Sequence, residues 1–173
     1  NNNFAALTMP DIWVRPQYGN NSTADGTYDK PYATMAGCAA ALRPGLVIGL
    51  QGVLFEEYTA PLGVNNVTIV GQTSIPRQAT TSGVPNGGGA TWLSPSGGTS
   101  WLIRIRAQGW TLRNIYFNNS ATAAPCISIL TDGAGDPPVD ADGAHTLIDN
   151  CILTGTDDGI NVNGGTNYVR ITN

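Results

Sequence analysis

Residues 146–150 read TLIDN, and three further runs share their pattern: VTIVG at 67–71, WTLRN at 110–114 and VRITN at 169–173. The first and third residues of each run are mostly apolar and the second is mostly polar, as in a strand that buries one face. The fifth residue is Gly or Asn, which tolerate the left-handed backbone geometry of a tight corner. The repeated unit is therefore a short strand followed by a corner.

The spacing of these runs indicates a solenoid. They begin at residues 67, 110, 146 and 169, so the intervals are 43, 36 and 23 residues. The two longer intervals contain a Gly-, Ser- and Thr-rich segment at about 72–100 and an acidic, turn-rich segment at about 131–144, which we interpret as insertions. A unit that returns every ~20–50 residues is typical of stacked repeats. We predict parallel strands that form the coils of a parallel β-helix, with a β-sandwich as the alternative.

Two rows of stacked residues follow from this alignment. Alternation along each strand puts the third residue of every run on the same, interior face. The interior ladder is then Ile69, Leu112, Ile148 and Ile171. The corner ladder is Asn114, Asn150 and Asn173.

The first 45 residues have a different organisation. A short strand, IWV, precedes a loop rich in turn formers, and Thr34 stands as a helix N-cap before MAGCAAAL, which ends at Pro44. We predict an N-terminal unit, 1–45, whose α-helix caps the open end of the coils, since an uncovered strand edge invites aggregation. Residues 46–173 then form the coils with their two insertions.

The stretch 11–58, DIWVRPQYGNNSTADGTYDKPYATMAGCAAALRPGLVIGLQGVLFEEY, resembles the start of the right-handed parallel β-helix proteins of the pectate-lyase-like superfamily. The later coils, with their Gly-rich insertions, are most similar to β-helical structural and tailspike proteins of tailed phages. The resemblance implies an all-β, right-handed parallel β-helix with an N-terminal capping α-helix. Because the chain stops within a coil, we expect an N-terminal fragment of a longer β-helix.

Asp157 and Asp158, in TGTDDGINV at 154–162, are the candidate catalytic residues. Pectin-type hydrolases of the superfamily carry such a pair, and the resemblance implies that one carboxyl protonates the leaving oxygen while another activates water. Asp149 is a candidate third carboxylate. The later His and Arg-x-Lys elements of those hydrolases have no counterpart here. The alternative is that Asp-Asp-Gly is an ordinary turn between two strands.

Two other sets of residues are candidates for binding. Arg104 and Arg106 alternate along WLIRIR and form a candidate substrate-binding row for acidic sugars, or else a solvated, ion-paired face. Asp140 and Asp142, in DADG, are a weak candidate for calcium, which prefers oxygen ligands, or else belong to a stiff exposed loop. We expect no other cofactor or metal. Cys38, Cys126 and Cys151 have no CxxC spacing, and we predict small buried side chains for them.

Charge and hydropathy exclude two classes of partner. The net charge is −4, with a single Lys and seven dispersed Arg. A protein that binds nucleic-acid phosphates needs clustered Lys and Arg, so we expect no nucleic-acid partner. No apolar run approaches the roughly 18 residues of a membrane span.

The sequence supports two functional hypotheses. The first is a non-enzymatic structural or adhesive β-helix, part of a phage virion as a decoration, fibre or tailspike-like element. Its expected partners are other virion subunits or copies of itself, as a homotrimer, and a surface polysaccharide. The second is a polysaccharide lyase or glycoside hydrolase that acts on acidic polysaccharide. The expected location is the virion or the extracellular space.

Overall fold

The computed structural model describes residues 9–72, 89–121, 123–130, 144–163 and 168–172. This part of the chain is all-β, with fourteen strands, one short 3-10 helix and no α-helix. The strands are β1 (Ile12–Val14), β2 (Val47–Leu50), β3 (Gly52–Phe55), β4 (Tyr58–Thr59), β5 (Thr68–Gly71), β6 (Ala90–Leu93), β7 (Ile103–Ile105), β8 (Thr111–Arg113), β9 (Ile115–Asn119), β10 (Ile127–Leu130), β11 (Leu147–Asp149), β12 (Ile152–Gly155), β13 (Ile160–Asn163) and β14 (Arg170–Thr172).

The strands form three parallel sheets. Sheet 1 has the order β1-β2-β5-β8-β11-β14, sheet 2 the order β3-β6-β9-β12, and sheet 3 the order β4-β7-β10-β13. All the pairings between these strands are parallel. From β2 onward, successive strands lie in sheet 1, sheet 2 and sheet 3 in turn, and the next strand returns to sheet 1. Parallel neighbours cannot be joined by a tight hairpin, and from β2 onward the connection between neighbours in one sheet contains a strand of each of the other two.

The predicted interior ladder is confirmed in register. Ile69 pairs with Leu112, Leu112 with Ile148, and Ile148 with Ile171. The first three are at most 1% exposed, whereas Ile171 is 61% exposed because β14, among the described strands, has a neighbour on one side only. β1, from the predicted N-terminal unit, adds Ile12 to the same row through Ile48.

A second interior row, of larger side chains, runs through sheet 2. Leu54, Trp92, Phe117 and Leu153 occupy matching positions on β3, β6, β9 and β12. The rings of Trp92 and Phe117 stack with centroids 5.8 Å apart, and Trp92 Nε1 donates a hydrogen bond to the carbonyl oxygen of Glu56. Trp92 and β6 lie within the segment 72–100 that its composition assigned to an insertion, so part of that segment supplies the core.

The predicted corner residues have two different physical roles. Asn114 and Asn150 adopt the left-handed backbone conformation, with φ of 59° and 48°. Gly71 is required for space instead, because a Cβ at this position would collide with the carbonyl oxygen of Asn114. Asn173 lies outside the described residues.

The prediction of an N-terminal capping α-helix is wrong. Residues 35–38 form turns, and only Ala39–Ala41 form a 3-10 helix. The Thr34 hydroxyl does accept a hydrogen bond from the Gly37 amide, at 2.9 Å. The amides of Met35 and Ala36, however, donate to the carboxylate of Glu56, 20 or more residues away. An Ala-rich segment of this length is a marginal helix, and tertiary hydrogen bonds decide its conformation.

Candidate functional site

The outer side of sheet 3 carries the predicted arginine row. Arg104 lies in β7 between two buried isoleucines, so alternation directs its side chain away from the core. It pairs with Thr59 on one side and with Ser128 on the other, and Ser128 pairs with Asn161. We call this row, together with Trp101, the arginine face.

Arg104 is the centre of this face. Its guanidinium carbon lies 4.6 Å from the centroid of the Trp101 ring, a cation–π contact. Its Nε is buried and makes no hydrogen bond within the described part of the chain. A buried donor without an acceptor costs about 1–3 kcal/mol, so the rest of the guanidinium, and not this nitrogen, is what Arg104 can offer to a ligand. Arg106 lies two residues further along and is also half-buried.

Glu57 fixes the segment that carries Trp101, and sequence reasoning missed this role. One oxygen of the Glu57 carboxylate accepts hydrogen bonds from the amides of Thr99 and Ser100, at 2.8 and 2.9 Å. Trp101 follows directly. The only signal in the sequence is a pair of adjacent acids after the first strand of sheet 2, and nothing local predicts a bond across 42 residues.

Asp157 and Asp158 lie in the connection between β12 and β13, and both are exposed. The Asp158 carbonyl accepts a hydrogen bond from the Cys126 amide at 3.3 Å, so the pair stands where β13 enters sheet 3. β10 separates β13 from β7, which puts the two backbones roughly 10 Å apart. The structure therefore places the candidate catalytic pair just before a strand of the sheet that carries Arg104, with β10 between that strand and β7.

Asp149, the candidate third carboxylate, lies elsewhere. It belongs to β11 in sheet 1, where its Oδ2 accepts a 2.7 Å ion-paired hydrogen bond from Arg113 Nε. The Thr172 hydroxyl donates to its other oxygen at 2.6 Å. These two partners, Thr172 first, lower the pKa of the Asp149 carboxyl below its ordinary value. A carboxylate held ionised in this way is unsuited to act as a general acid.

No metal site is formed within the described residues. Among them, no three His, Cys, Asp or Glu side chains come together in a way that could hold an ion. The calcium candidates Asp140 and Asp142 lie outside the described residues.

The three cysteines are free, and the predicted burial is confirmed for two of them. Cys38 and Cys126 are buried and Cys151 is half-buried. Burial raises the pKa of Cys38 to about 12 and that of Cys151 to about 11. A raised thiol pKa disfavours the thiolate, which is the form that acts as a nucleophile or metal ligand.

Two further findings bear on the identity of the protein. The described residues contain no helix with the length and apolar character needed to cross a bilayer. Comparisons with protein-family models, with curated proteins and with solved structures gave no significant match.

Proposed function

We propose that this chain forms a right-handed parallel β-helix of the pectate-lyase-like kind and acts as a non-enzymatic structural or adhesive element of a phage virion. The observation that supports the fold is the row Ile12, Ile48, Ile69, Leu112, Ile148 and Ile171, in register across sheet 1. A chain that visits three sheets in turn and returns one strand further along makes one coil per circuit. The right hand follows from the strong preference of parallel crossovers.

The structural role follows from this architecture. Stacked coils bury a continuous interior, and strands paired along their whole length leave little freedom to bend. Sheets of six, four and four strands give the stack extended outer faces, which suits packing against two further copies in a homotrimer or against a particle. The resemblance of the later coils, with their Gly-rich insertions, to β-helical proteins of tailed phages favours a decoration, fibre or tailspike-like role.

The adhesive role rests on the arginine face. Trp101 offers an aromatic ring on which a sugar can stack, and Arg104 offers charged donors to a sugar carboxylate. Thr59 is exposed and Asn161 is half-buried, and they extend the row with a hydroxyl and an amide group, whereas Ser128 between them is only 4% exposed. This chemistry favours an acidic surface polysaccharide as the ligand.

A polysaccharide lyase or glycoside hydrolase is the second candidate, favoured by one observation. Asp157 and Asp158 are both exposed at the point where β13 joins the sheet that carries Arg104. An inverting hydrolase needs carboxyl groups about 6.5–9.5 Å apart, on either side of the scissile bond. Adjacent residues meet that need only if the turn directs their side chains apart.

The structural proposal is tested by sedimentation of native material from the source of the protein, with mass spectrometry of each fraction. We expect this chain in particles of megadalton size. Recovery only as a small free species would contradict the virion role.

The enzymatic alternative is tested by release of reducing ends or unsaturated products from polygalacturonate and from other acidic polysaccharides. We expect no turnover by the native protein. Turnover that is lost in Asp157→Asn/Asp158→Asn, with the melting temperature unchanged, would establish the enzyme instead.

A further inference from the structure

A second aromatic cluster lies beside β1, apart from the arginine face. Its members are Trp13, Arg15, Tyr18 and Tyr28, and we call it the Arg15 cluster. Trp13 lies on the outer side of sheet 1 against Gly49, where an added Cβ would come within 2.6 Å of its ring. Tyr28 meets Trp13 edge-on, with the ring centroids 4.9 Å apart.

Arg15 joins the two tyrosines. Its guanidinium carbon lies 3.8 Å from the centroid of Tyr28 and 4.6 Å from that of Tyr18. Its Nε donates to Gln51 Oε1 at 2.5 Å, and its Nη1 donates to the Tyr28 carbonyl at 2.7 Å. Within the described part of the chain, Nη2 makes no hydrogen bond.

The charge of Arg15 is not balanced by a carboxylate. Lys30, Arg43 and Arg113 each have an acidic partner, at 3.8, 4.0 and 2.7 Å, but within the described residues no acidic side chain lies within 4.0 Å of Arg15. An arginine fixed in orientation by two hydrogen bonds and two rings, with a nitrogen to spare, is suited to bind an anion.

The rings of both tyrosines are exposed, and that of Tyr28 is also hydrogen-bonded through its hydroxyl. Tyr18 is 61% exposed and Tyr28 is 40% exposed. The Tyr28 hydroxyl donates to Gln51 at 3.2 Å, and the Tyr18 amide donates to the Arg15 carbonyl at 2.9 Å. An aromatic ring that is fixed before binding, as that of Tyr28 is, loses little entropy when a ligand stacks on it.

We propose that the Arg15 cluster binds an acidic saccharide, with sugar rings stacked on the exposed surfaces of Tyr18 and Tyr28 and a sugar carboxylate on Arg15. The cation and the two aromatic surfaces complement the two parts of a uronic acid, its charge and its apolar ring face. This inference rests on the proposed glycan contact, but it assigns that contact to different residues from the arginine face.

The test is titration calorimetry of the whole chain with oligomers of galacturonate, glucuronate and sialic acid, and with uncharged maltohexaose. Tyr18→Ala removes a ring with few contacts, and Arg15→Gln removes the charge. Tyr168→Ala is the matched control, because Tyr168 is 75% exposed and stacks on His145 elsewhere. Melting temperatures check that each variant is folded. We expect an acidic oligomer to bind, maltohexaose to bind at least tenfold more weakly, and both cluster variants to lose about tenfold in affinity while Tyr168→Ala loses none.

Two other outcomes separate this inference from the broader proposal. Binding that survives in Tyr18→Ala and Arg15→Gln but is lost in Arg104→Ala would overturn the Arg15 site and retain the glycan contact at the arginine face. Absence of binding by the native chain to all three acidic oligomers would overturn the Arg15 site and the adhesive role together, and the sedimentation result for the structural role would stand independently.

Discussion

Asn150 Nδ2 donates a 2.8 Å hydrogen bond to Asn114 Oδ1, and these two residues occupy matching corners 36 positions apart. Both have left-handed backbone, with φ of 48° and 59°. Asn is among the few residues that adopt this conformation readily. Its amide can both donate and accept, so stacked asparagines bond to one another along the corners.

The asparagine corner leads to a paired test. Asn150→Ala removes the hydrogen bond and places a Cβ-bearing residue in left-handed backbone, and we expect a loss of about 1.5–3 kcal/mol of unfolding free energy. Asn150→Gly removes the same bond but relieves the backbone, so we expect a loss closer to 1 kcal/mol. Urea denaturation measures both, and equal losses would exclude backbone strain as a contribution.

Trp92 tests whether the segment 89–93 is part of the core. Its side chain is fully buried between Leu54 and Phe117 in the sheet 2 row. We expect Trp92→Ala to cost about 3–5 kcal/mol, enough to unfold a marginal domain. Trp101→Ala is the matched control, since Trp101 is half-buried, and we expect about 1 kcal/mol. Thermal unfolding measures both losses. Equal losses in Trp92→Ala and Trp101→Ala would argue against the observed register of β6.

Glu56 gives a pH dependence of stability with a defined sign. Burial raises the pKa of its carboxyl above the ordinary 4.5, despite the hydrogen bonds from the Met35 and Ala36 amides. Because the pKa of Glu56 is higher in the folded state than in the unfolded state, the contribution of its protonated carboxyl to folding stability is fully present below about pH 4.5. It is lost as the pH rises through the folded pKa.

Glu56→Gln removes this titration. We expect the variant to be less stable by about 1–3 kcal/mol at pH 4, since an amide nitrogen cannot accept from both backbone N–H groups. We expect the deficit to narrow as the pH rises, because only the native carboxyl ionises. Chemical denaturation from pH 4 to 8 would show this, and a deficit that widens with pH would contradict it.

The Asp149–Arg113 pair gives stability the opposite pH dependence to that of Glu56. The pKa of Asp149 is lowered, so its contribution is present above the ordinary value of 3.8 and is lost as the pH falls through the folded pKa. The Arg113 side chain is 41% exposed, so solvent screens the pair and we expect Asp149→Asn to cost about 0.2–1 kcal/mol at pH 7. The difference in melting temperature between the native protein and Asp149→Asn should be smaller at pH 3 than at pH 7. A difference that persists unchanged at pH 3 would point to lost hydrogen bonding instead of charge.

The predicted helix shows the limit of local reasoning. MAGCAAAL has good intrinsic helix propensity after Thr34, but the amides of its first turn are bound by Glu56 from another part of the chain. Propensity is a weak prior when the segment is short and a tertiary acceptor is available. Residues 90–93 were missed for a related reason. Their flanks are rich in Gly, Ser and Thr, and these mask a short strand whose Trp92 completes a row of the core.

Sequence by itself determined the strand-and-corner unit, the interior row from Ile69 to Ile171 and the asparagine corners at 114 and 150. These features depend on alternation and on left-handed backbone preference, which are properties of a few consecutive residues. Tertiary structure alone decided that hydrogen bonds to Glu56 take the place of the predicted helix and that Glu57 fixes the segment before Trp101. It also decided that Asp157 and Asp158 precede a strand of the sheet that carries Arg104, whereas Asp149 lies in another sheet. Such contacts join residues that are far apart in sequence and meet only after the chain has passed through all three sheets. The position at which a strand returns to its sheet depends on the packing of the entire core.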